Sequence, residues 1–495
     1  MNHFRLSQRI LTPLLIAVGT VVLLLLLSRD SYLYLLGPRV DSAWFFMCGK
    51  AWMNGMVPYV DFSDAKGPLL WLIYGVGYLL SPRDYHGVFW MGCLFYFFTF
   101  LFAYRTFILF IKERSHALVA TFLLGIIMFN PATCYEVRAE DFSMPFLMCS
   151  MWLMCKAAFD HDWFRRHMWQ AFMCFGISMS CTFFIKYSIT AFVAFFPAVA
   201  FYYMCKRREG VAKAIGGLLC GWLMIVVPFL VYFLLQGNLE DFIRDYFIIT
   251  FKAVRNTYLL FHVSTLAERI EFQITLFLSI PMLVFFLGLI AANVLASVRL
   301  RHPLPVLQVA YFFVGLLFIS LYRYYFSIIN VCALWGIVWL YHLSVTKRHP
   351  VALPVSVGVM ALVFLLAYYQ VVLPHSVFNQ QTRSELDKIE RVYQAYHQPK
   401  VTCIMQECGF GITVEALPAT KNWARQNGLT PEMYHINVGG IAHSDVVSVD
   451  EKMIVDPYVR AKLRAEGFRH CVKAKLYKYT FYIFTKTPPP ACVGR

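Results

Sequence analysis

Apolar stretches long enough to cross a lipid bilayer recur along this chain from about residue 10 to about residue 373. No other feature limits its fold so strongly. Hydrocarbon offers no partner to a backbone N–H or C=O group, so each stretch must be a helix that satisfies its own. Helices are expected near 10–28, 87–111, 116–131, 142–159, 169–185, 187–205, 214–235, 272–297, 304–321, 325–343 and 351–373, about eleven spans in all. Charged residues are 15% of the chain and hydrophobic residues 59%. A soluble domain carries about 25% charge. The opening MNHFRLSQRI and the apolar run to about Leu27 lack a small-residue cleavage site, so they read as an uncleaved anchor.

The formal net charge is +16. In a membrane protein such an excess belongs to cytoplasmic loops and is not a nucleic-acid footprint. One run needs a decision. Residues 67–81, GPLLWLIYGVGYLLS, are apolar, start with Gly-Pro and fall short of the about 20 residues a span needs. If they do not span and the N-terminus is cytoplasmic, the clusters Arg5/Arg9, Lys112/Arg114, Lys156/Arg165/Arg166, Lys206–Lys213, Arg299/Arg301 and Lys347/Arg348 all fall inside. The run is therefore expected to lie on the outer face, with the C-terminus outside as well.

That topology gives the outer face a first loop (about 29–86), a short loop (about 131–141), a turn at Lys186, a longer loop (about 236–271) and the tail from about 375. The chain thus divides into a membrane domain, 1–374, and an extracytoplasmic α/β domain, 375–495. In the tail, SELDKIERVYQAYHQ, TKNWARQNGL and MIVDPYVRAKLRAEGF read as helices, the last ending at Gly467. VTCIM and KYTFYIFTK read as strands. Of 14 cysteines, Cys403, Cys408, Cys471 and Cys492 lie in the tail, where disulfides are permitted but not required. His262, His375, His435 and His443 are scattered and read as surface residues. The sequence has no Gly-rich phosphate loop, GxSxG, HExxH or internal repeat.

Charge converges on the outer face. The first loop carries Asp41, Lys50, Asp61, Asp64 and Lys66 among aromatic residues, and the short loop carries Glu136, Arg138, Glu140 and Asp141. Lys186 and Arg323 sit at the outer ends of spans, where charge is costly and defaults to function. Carboxylates facing cations suit transfer from a phosphate-linked donor. A carboxylate takes the acceptor's proton, and Lys or Arg holds the leaving phosphate. The bland readings stand beside this. Asp41 caps its helix, Asp61 or Asp64 caps the 67–81 helix, Lys66 snorkels, Glu140 and Asp141 are solvated, and Lys186 and Arg323 meet headgroups.

Residues 37–70 resemble the first extracytoplasmic loop of the GT-C polyprenyl-phosphate-sugar glycosyltransferases, the superfamily of the protein O-mannosyltransferases and lipid A aminoarabinose transferases. The resemblance rests on Asp41, on Gly55-Met56-Val57-Pro58-Tyr59 followed by Asp61, and on Lys66-Gly67-Pro68. Many members carry two adjacent acids where this chain has Asp41-Ser42, and Pro-Pro where it has Gly67-Pro68. Glu140-Asp141-Phe142 with Pro145 resembles the acidic second loop. Tyr322-Arg323-Tyr324-Tyr325-Phe326 resembles the polar-aromatic patch before a late span.

The resemblance implies a polytopic α-helical membrane enzyme of the cytoplasmic membrane, and inverting transfer from a polyprenyl-phosphate sugar to a hydroxyl of a glycan, lipid or protein. It implies Asp41 as general base and 67–81 as a juxtamembrane helix. Lys66, Lys186, Arg323 and Tyr325 would contact the donor, and Asp61, Asp64, Glu140 and Asp141 would serve the acceptor or second loop. No cofactor is fixed by the residues; a divalent cation stays open, since Asp41 with Glu140 or Asp141 offers oxygen ligands suited to Mg²⁺ or Mn²⁺. Three alternatives stay open: a transporter or flippase of lipid-linked sugars, an O-antigen-ligase-like enzyme, and a non-catalytic glycan-assembly subunit.

Overall fold

The computed structural model describes residues 2–28, 30–33, 40–129, 137–207, 210–250, 265, 267–268, 271, 275, 280–319, 323–345, 380–404, 415–421, 423, 431–476 and 479–488. Its first ten helices are α1 (Asn2–Leu27), α2 (Val40–Met53), α3 (Pro68–Leu80), α4 (His86–Phe107), α5 (Arg114–Met128), α6 (Ala139–Phe159), α7 (His161–Arg166), α8 (Met168–Lys206), α9 (Val211–Leu235) and α10 (Leu239–Ile243). By length and composition, seven described helices are able to cross a bilayer: Ile10–Leu27, α4, α6, α8, α9, Leu283–Leu300 and Tyr325–Ser344. Shorter apolar helices occupy Arg114–Met128 and Leu304–Leu316. Every expected span up to 325–343 coincides with one of these, α8 accounting for two. The span expected at 351–373 lies outside the described residues. The protein is a polytopic helical membrane protein with a small sheet.

The chain divides into two compact units. One comprises Met1–Ser28, Gly92–Val231 and Thr265–Val372; the other comprises Arg29–Met91, Tyr232–Ser264 and Leu373–Arg495. In the first, α8 is the informative element. Its 39 residues would measure about 58 Å as one rod, nearly twice the bilayer core. It is not one rod. Lys186 has extended backbone angles (φ −161°, ψ 102°). The Thr182 and Thr190 hydroxyls are 3.3 Å apart, and Thr190 also approaches the Met179 carbonyl at 3.5 Å. Residues eight apart in a straight helix are about 12 Å apart along the axis. The chain therefore folds back at Lys186, as the expected turn requires. The first half of α8 meets α9 along glycines. A Cβ at Gly176 would lie 2.1 Å from the Leu218 carbonyl oxygen, and one at Gly221 would lie 1.9 Å from that of Met173. Small residues of this kind let transmembrane backbones approach closely.

The 325–343 span starts differently from expectation. Arg323–Cys332 winds as a 3₁₀ helix before the α-helix Ala333–Val345. Phe326, Ile328, Ile329 and Val331 are fully buried, and the Cys332 carbonyl accepts from Asn293 Nδ2 at 3.2 Å. A side-chain donor thus occupies a carbonyl where the winding changes.

In the second unit α2 packs on α3. Gly67 precedes α3 in an extended conformation and Pro68 opens it, as a missing N–H allows at a helix start. At 13 residues α3 is too short to span, as expected. A Cβ on Gly49 would lie 2.5 Å from the Gly75 nitrogen and 2.8 Å from the Trp71 oxygen. The two helices therefore touch backbone to backbone.

The tail contributes a five-stranded sheet of order β2-β1-β3-β5-β4: β1 (Lys400–Ile404), β2 (Leu417–Pro418), β3 (Val446–Asp450), β4 (His470–Leu476) and β5 (Tyr479–Thr485). β1 runs parallel to β2 and β3, and β5 runs antiparallel to β3 and β4. Ile404, Val447 and Val449 pack with Val438, Ile441, Val459 and Leu463 in its core. The amphipathic helix Gln380–Gln394 buries Leu386, Ile389, Val392 and Tyr393. Pro457–Ala465 ends before Gly467 at φ +80°, the left-handed stop expected there. The helix expected at 420–429 lies, apart from Thr420, Lys421 and Trp423, outside the described residues. So do Cys408, Cys492, His262 and His375.

Gly49→Ala is expected to lower thermal stability in detergent by about 1–3 kcal/mol, because α2 and α3 must separate. Gly288→Ala, where an added Cβ meets nothing within 4 Å, serves as the control. Equal midpoints for the two variants would refute the close contact.

Candidate active site

The candidate residues fall in both units, and each group has its own geometry. In the first unit, Glu140 and Asp141 occupy the first turn of α6, where unpaired N–H groups favour negative charge. Asp141 Oδ2 accepts from the Arg138 backbone N–H at 3.1 Å, and Oδ1 accepts the Tyr96 hydroxyl. It acts as a helix cap held from α4. Glu140 forms an ion pair with Lys186, both side chains being at most 5% exposed. The Lys186 ammonium also lies 3.5 Å from the centre of the Tyr325 ring. Glu140, Lys186 and Tyr325, far apart in sequence, are thus brought together. Arg323 opens the 3₁₀ helix, and its side chain, like Glu136, lies outside the described residues.

In the second unit, Asp41 stands in the first turn of α2 and is half-buried. Among the described residues it has no hydrogen-bond or ion-pair partner. Phe45, four residues on, shares its face. Lys66 Nζ lies 5.3 Å from the Phe45 ring centre and 4.0 Å from Asp64 Oδ2. Lys66 therefore packs against the ring that lies one helical turn along α2 from Asp41. Asp64 Oδ1 also accepts from the Ala65 N–H at 2.6 Å. Asp61 Oδ2 accepts from the Val57 N–H at 2.6 Å and closes the Val57–Asp61 turn. No side chain caps α3 at Gly67.

The residue at the centre of that turn is Tyr59. Its φ of +65° is left-handed, unusual for a bulky side chain. The ring is fully buried, with Trp71, Phe242, Phe233 and Tyr246 at 4.8–6.4 Å. Its N–H donates to the Phe62 carbonyl at 2.7 Å, and its own carbonyl accepts from Lys421 of the tail. Lys421 also pairs with the buried Asp245 carboxylate at 2.6 Å, which Arg244 meets from the other side at 3.2 Å. Trp423 stacks on Trp44 of α2 at 4.8 Å. None of Lys421, Trp423 or Asp245 is a candidate on sequence grounds. Asp245 had a readable signal, a carboxylate between Phe242 and Tyr246 that needs a cation. Lys421 and Trp423 had none.

Lys50 is 1% exposed in α2, 5.6 Å from the Phe46 ring centre. Burial lowers its pKa to about 7, with the charge of Glu415 acting in the opposite direction.

Among the described residues no group of three or more His, Cys, Asp or Glu side chains is placed to hold a metal ion. Asp141 has both oxygens engaged and Glu140 is paired with Lys186. Neither therefore offers a free carboxylate to a cation, and no step below is routed through one.

No protein-family model matches the sequence, and no curated protein matches it. Solved structures do match in fold. ArnT from Cupriavidus metallidurans, in a structure bound to undecaprenyl phosphate, superposes with a TM-score of 0.55 at 12% identity, over 96% of this chain and 98% of that one. The archaeal oligosaccharyltransferase AglB from Archaeoglobus fulgidus, in complex with an inhibitory peptide and a dolichol-phosphate, gives a TM-score of 0.48 at 12% identity, over 99% of this chain and 75% of that one. The likeness to ArnT runs the length of both chains and shows that this chain has the GT-C fold expected from its first loop.

Lys186→Met and Glu140→Gln are each expected to destabilise strongly, by about 3–5 kcal/mol, because a buried charge loses its partner. The double variant is expected to lose less than the sum; strictly additive losses would show the charges uncoupled. Lys50 gives a pH signature. Between about pH 7 and the ordinary lysine value the unfolded chain holds a proton that the folded chain does not, so stability rises with pH across that window. Below it both states are protonated and the full burial penalty applies. Lys50→Met is therefore expected to stabilise the protein markedly at about pH 6 and little at about pH 10. A pH-independent effect would contradict that burial.

Proposed function

We propose that this protein is an integral membrane glycosyltransferase that moves a sugar from a polyprenyl-phosphate donor to an acceptor hydroxyl at the outer face of the cytoplasmic membrane, with inversion and with Asp41 as general base. One observation carries the assignment. Asp61, Asp64, Glu140 and Asp141 are each engaged by a backbone N–H, a hydroxyl or a cation. Asp41 is half-buried at a helix start and has no such partner among the described residues. The fold shared with ArnT, a protein whose structure holds undecaprenyl phosphate, supports a lipid-linked donor.

Asp41 takes the proton of the acceptor hydroxyl as its oxygen attacks the anomeric carbon. The bond from that carbon to the phosphate oxygen breaks, and the electron pair leaves with the lipid phosphate. Lys66, packed on the Phe45 ring one helical turn along α2 from Asp41, offers its ammonium to the growing negative charge. Asp64, 4.0 Å away, orients that ammonium. Lys186, paired with Glu140, has less of its charge to offer. Arg323 and Tyr325 are donor contacts on the family pattern alone.

The test is transfer of radiolabelled sugar from polyprenyl-phosphate donors in proteoliposomes. Asp41→Asn is expected to lower the rate by at least about 100-fold while donor binding persists, the range a general base supplies. Equal transfer by variant and wild type would place the base elsewhere. Donor translocation without transfer would favour a transporter.

A further inference from the structure

A pocket of about 530 Å³ opens in the second unit, and Asp41 is not among its lining residues. Its lining comes from three places in the sequence. Arg83 lies between α3 and α4, Tyr393 to His397 run from the last residues of the helix Gln380–Gln394 to just beyond it, and Glu415 precedes β2. The volume is in the range of small-ligand sites, about 300–1,000 Å³. The Tyr396 ring and the His397 imidazole supply flat faces. Tyr393 is buried, and the Tyr396 hydroxyl is fixed 2.9 Å from that of Thr487. Arg83 and Glu415 stand 4.0 Å apart with side chains 85% and 50% exposed, so a donor fork and an acceptor pair both face solvent. Charge is balanced across the lining. A phosphate or sulfate would call for excess cations, and a fatty chain would call for no charge at all. Aromatic faces with neighbouring donors and acceptors suit a neutral polyhydroxyl chain, whose C–H faces stack and whose hydroxyls bridge to planar charged groups.

Its position adds a length. Gln398, next to His397, donates to the Asn54 side chain at 3.3 Å, just beyond the C-terminal end of α2. Asp41 is at the opposite end of that 14-residue helix, about 20 Å along the axis. A ligand reaching from the His397 end of the pocket along α2 to Asp41 must be several sugar rings long.

We propose that the pocket lined by Arg83, Tyr393, Tyr396, His397 and Glu415 is a glycan subsite, which holds a neutral oligosaccharide acceptor several rings away from the hydroxyl that Asp41 activates. The inference rests on the transferase reading and narrows its acceptor from any hydroxyl compound to an oligosaccharide.

Binding tests it without turnover. The full chain in lipid nanodiscs is applied to an array of neutral sugars running from monosaccharides to oligosaccharides. Retention on oligosaccharides and not on monosaccharides is expected. Tyr396→Ala and Arg83→Ala are each expected to weaken it by about tenfold or more, and Asp41→Asn is expected to leave it intact. Arg83 is so exposed that its replacement leaves the fold undisturbed. The proposal is overturned if no neutral oligosaccharide is retained, if only phosphorylated glycans or peptides are, or if both pocket variants bind like wild type. Glycan retention without sugar transfer would sink the transferase reading and leave the subsite. Transfer unaffected by both pocket variants would sink the subsite and leave the transferase.

Discussion

A charge held away from water must have a partner, and Lys186 shows how much structure follows from that. Isolated at membrane depth its ammonium would carry a desolvation penalty of several kcal/mol. Glu140 offsets it, and the Tyr325 ring covers it at 3.5 Å. Those contacts join the start of α6, the reversal inside α8 and the 3₁₀ turn that opens a late span. The extended backbone at Lys186 lets two spans run antiparallel without a loop. The same residue supplies both the bend and the charge that anchors it.

The second unit repeats the rule with other residues. Asp245 is buried and is met by Lys421 and Arg244. Lys421 continues to the carbonyl of Tyr59, whose left-handed backbone costs on the order of 1–3 kcal/mol and persists because an aromatic cluster surrounds the ring. The turn around Tyr59 sets where Asp64 and Lys66 emerge, and backbone contact at Gly49 and Gly75 sets α2 against α3. Asp41 therefore stands on a helix fixed by glycines on one side and by Trp44 on Trp423 on another.

What the sequence made readable follows from range. Spans are local, because a bilayer filters for continuous apolar length. The reversal at Lys186 was visible as one charge inside FFIKYSIT, and the failure of 67–81 to span was visible in its length and its Gly-Pro start. Contacts between distant segments leave no period to detect. Lys421, Trp423 and the burial of Lys50 were invisible for that reason. β3 and β4 escaped notice as well. β3 is short and takes its place from partners tens of residues away, while β4 pairs with the next strand but carries two lysines among its seven residues. The first-turn acids of α6 were visible as candidates. Whether such a carboxylate caps its own helix, as Asp141 does, or faces a distant lysine, as Glu140 does, depends on Tyr96 and Lys186, which no local pattern locates.

The reach of the Lys421 contact bears on how the molecule is made. Tyr59 and Lys421 are 362 residues apart. On a growing chain the first loop is synthesised long before the lysine that completes it. Throughout that interval Asp245 lacks its tail cation, and the strained turn lacks one of its supports. Assembly of the Asp41 region is therefore one of the last events in the life of a nascent chain. A polypeptide stalled or clipped before the tail folds would keep its membrane helices and still present an unfinished loop. The contact ties the last support of the Tyr59 turn to arrival of the tail.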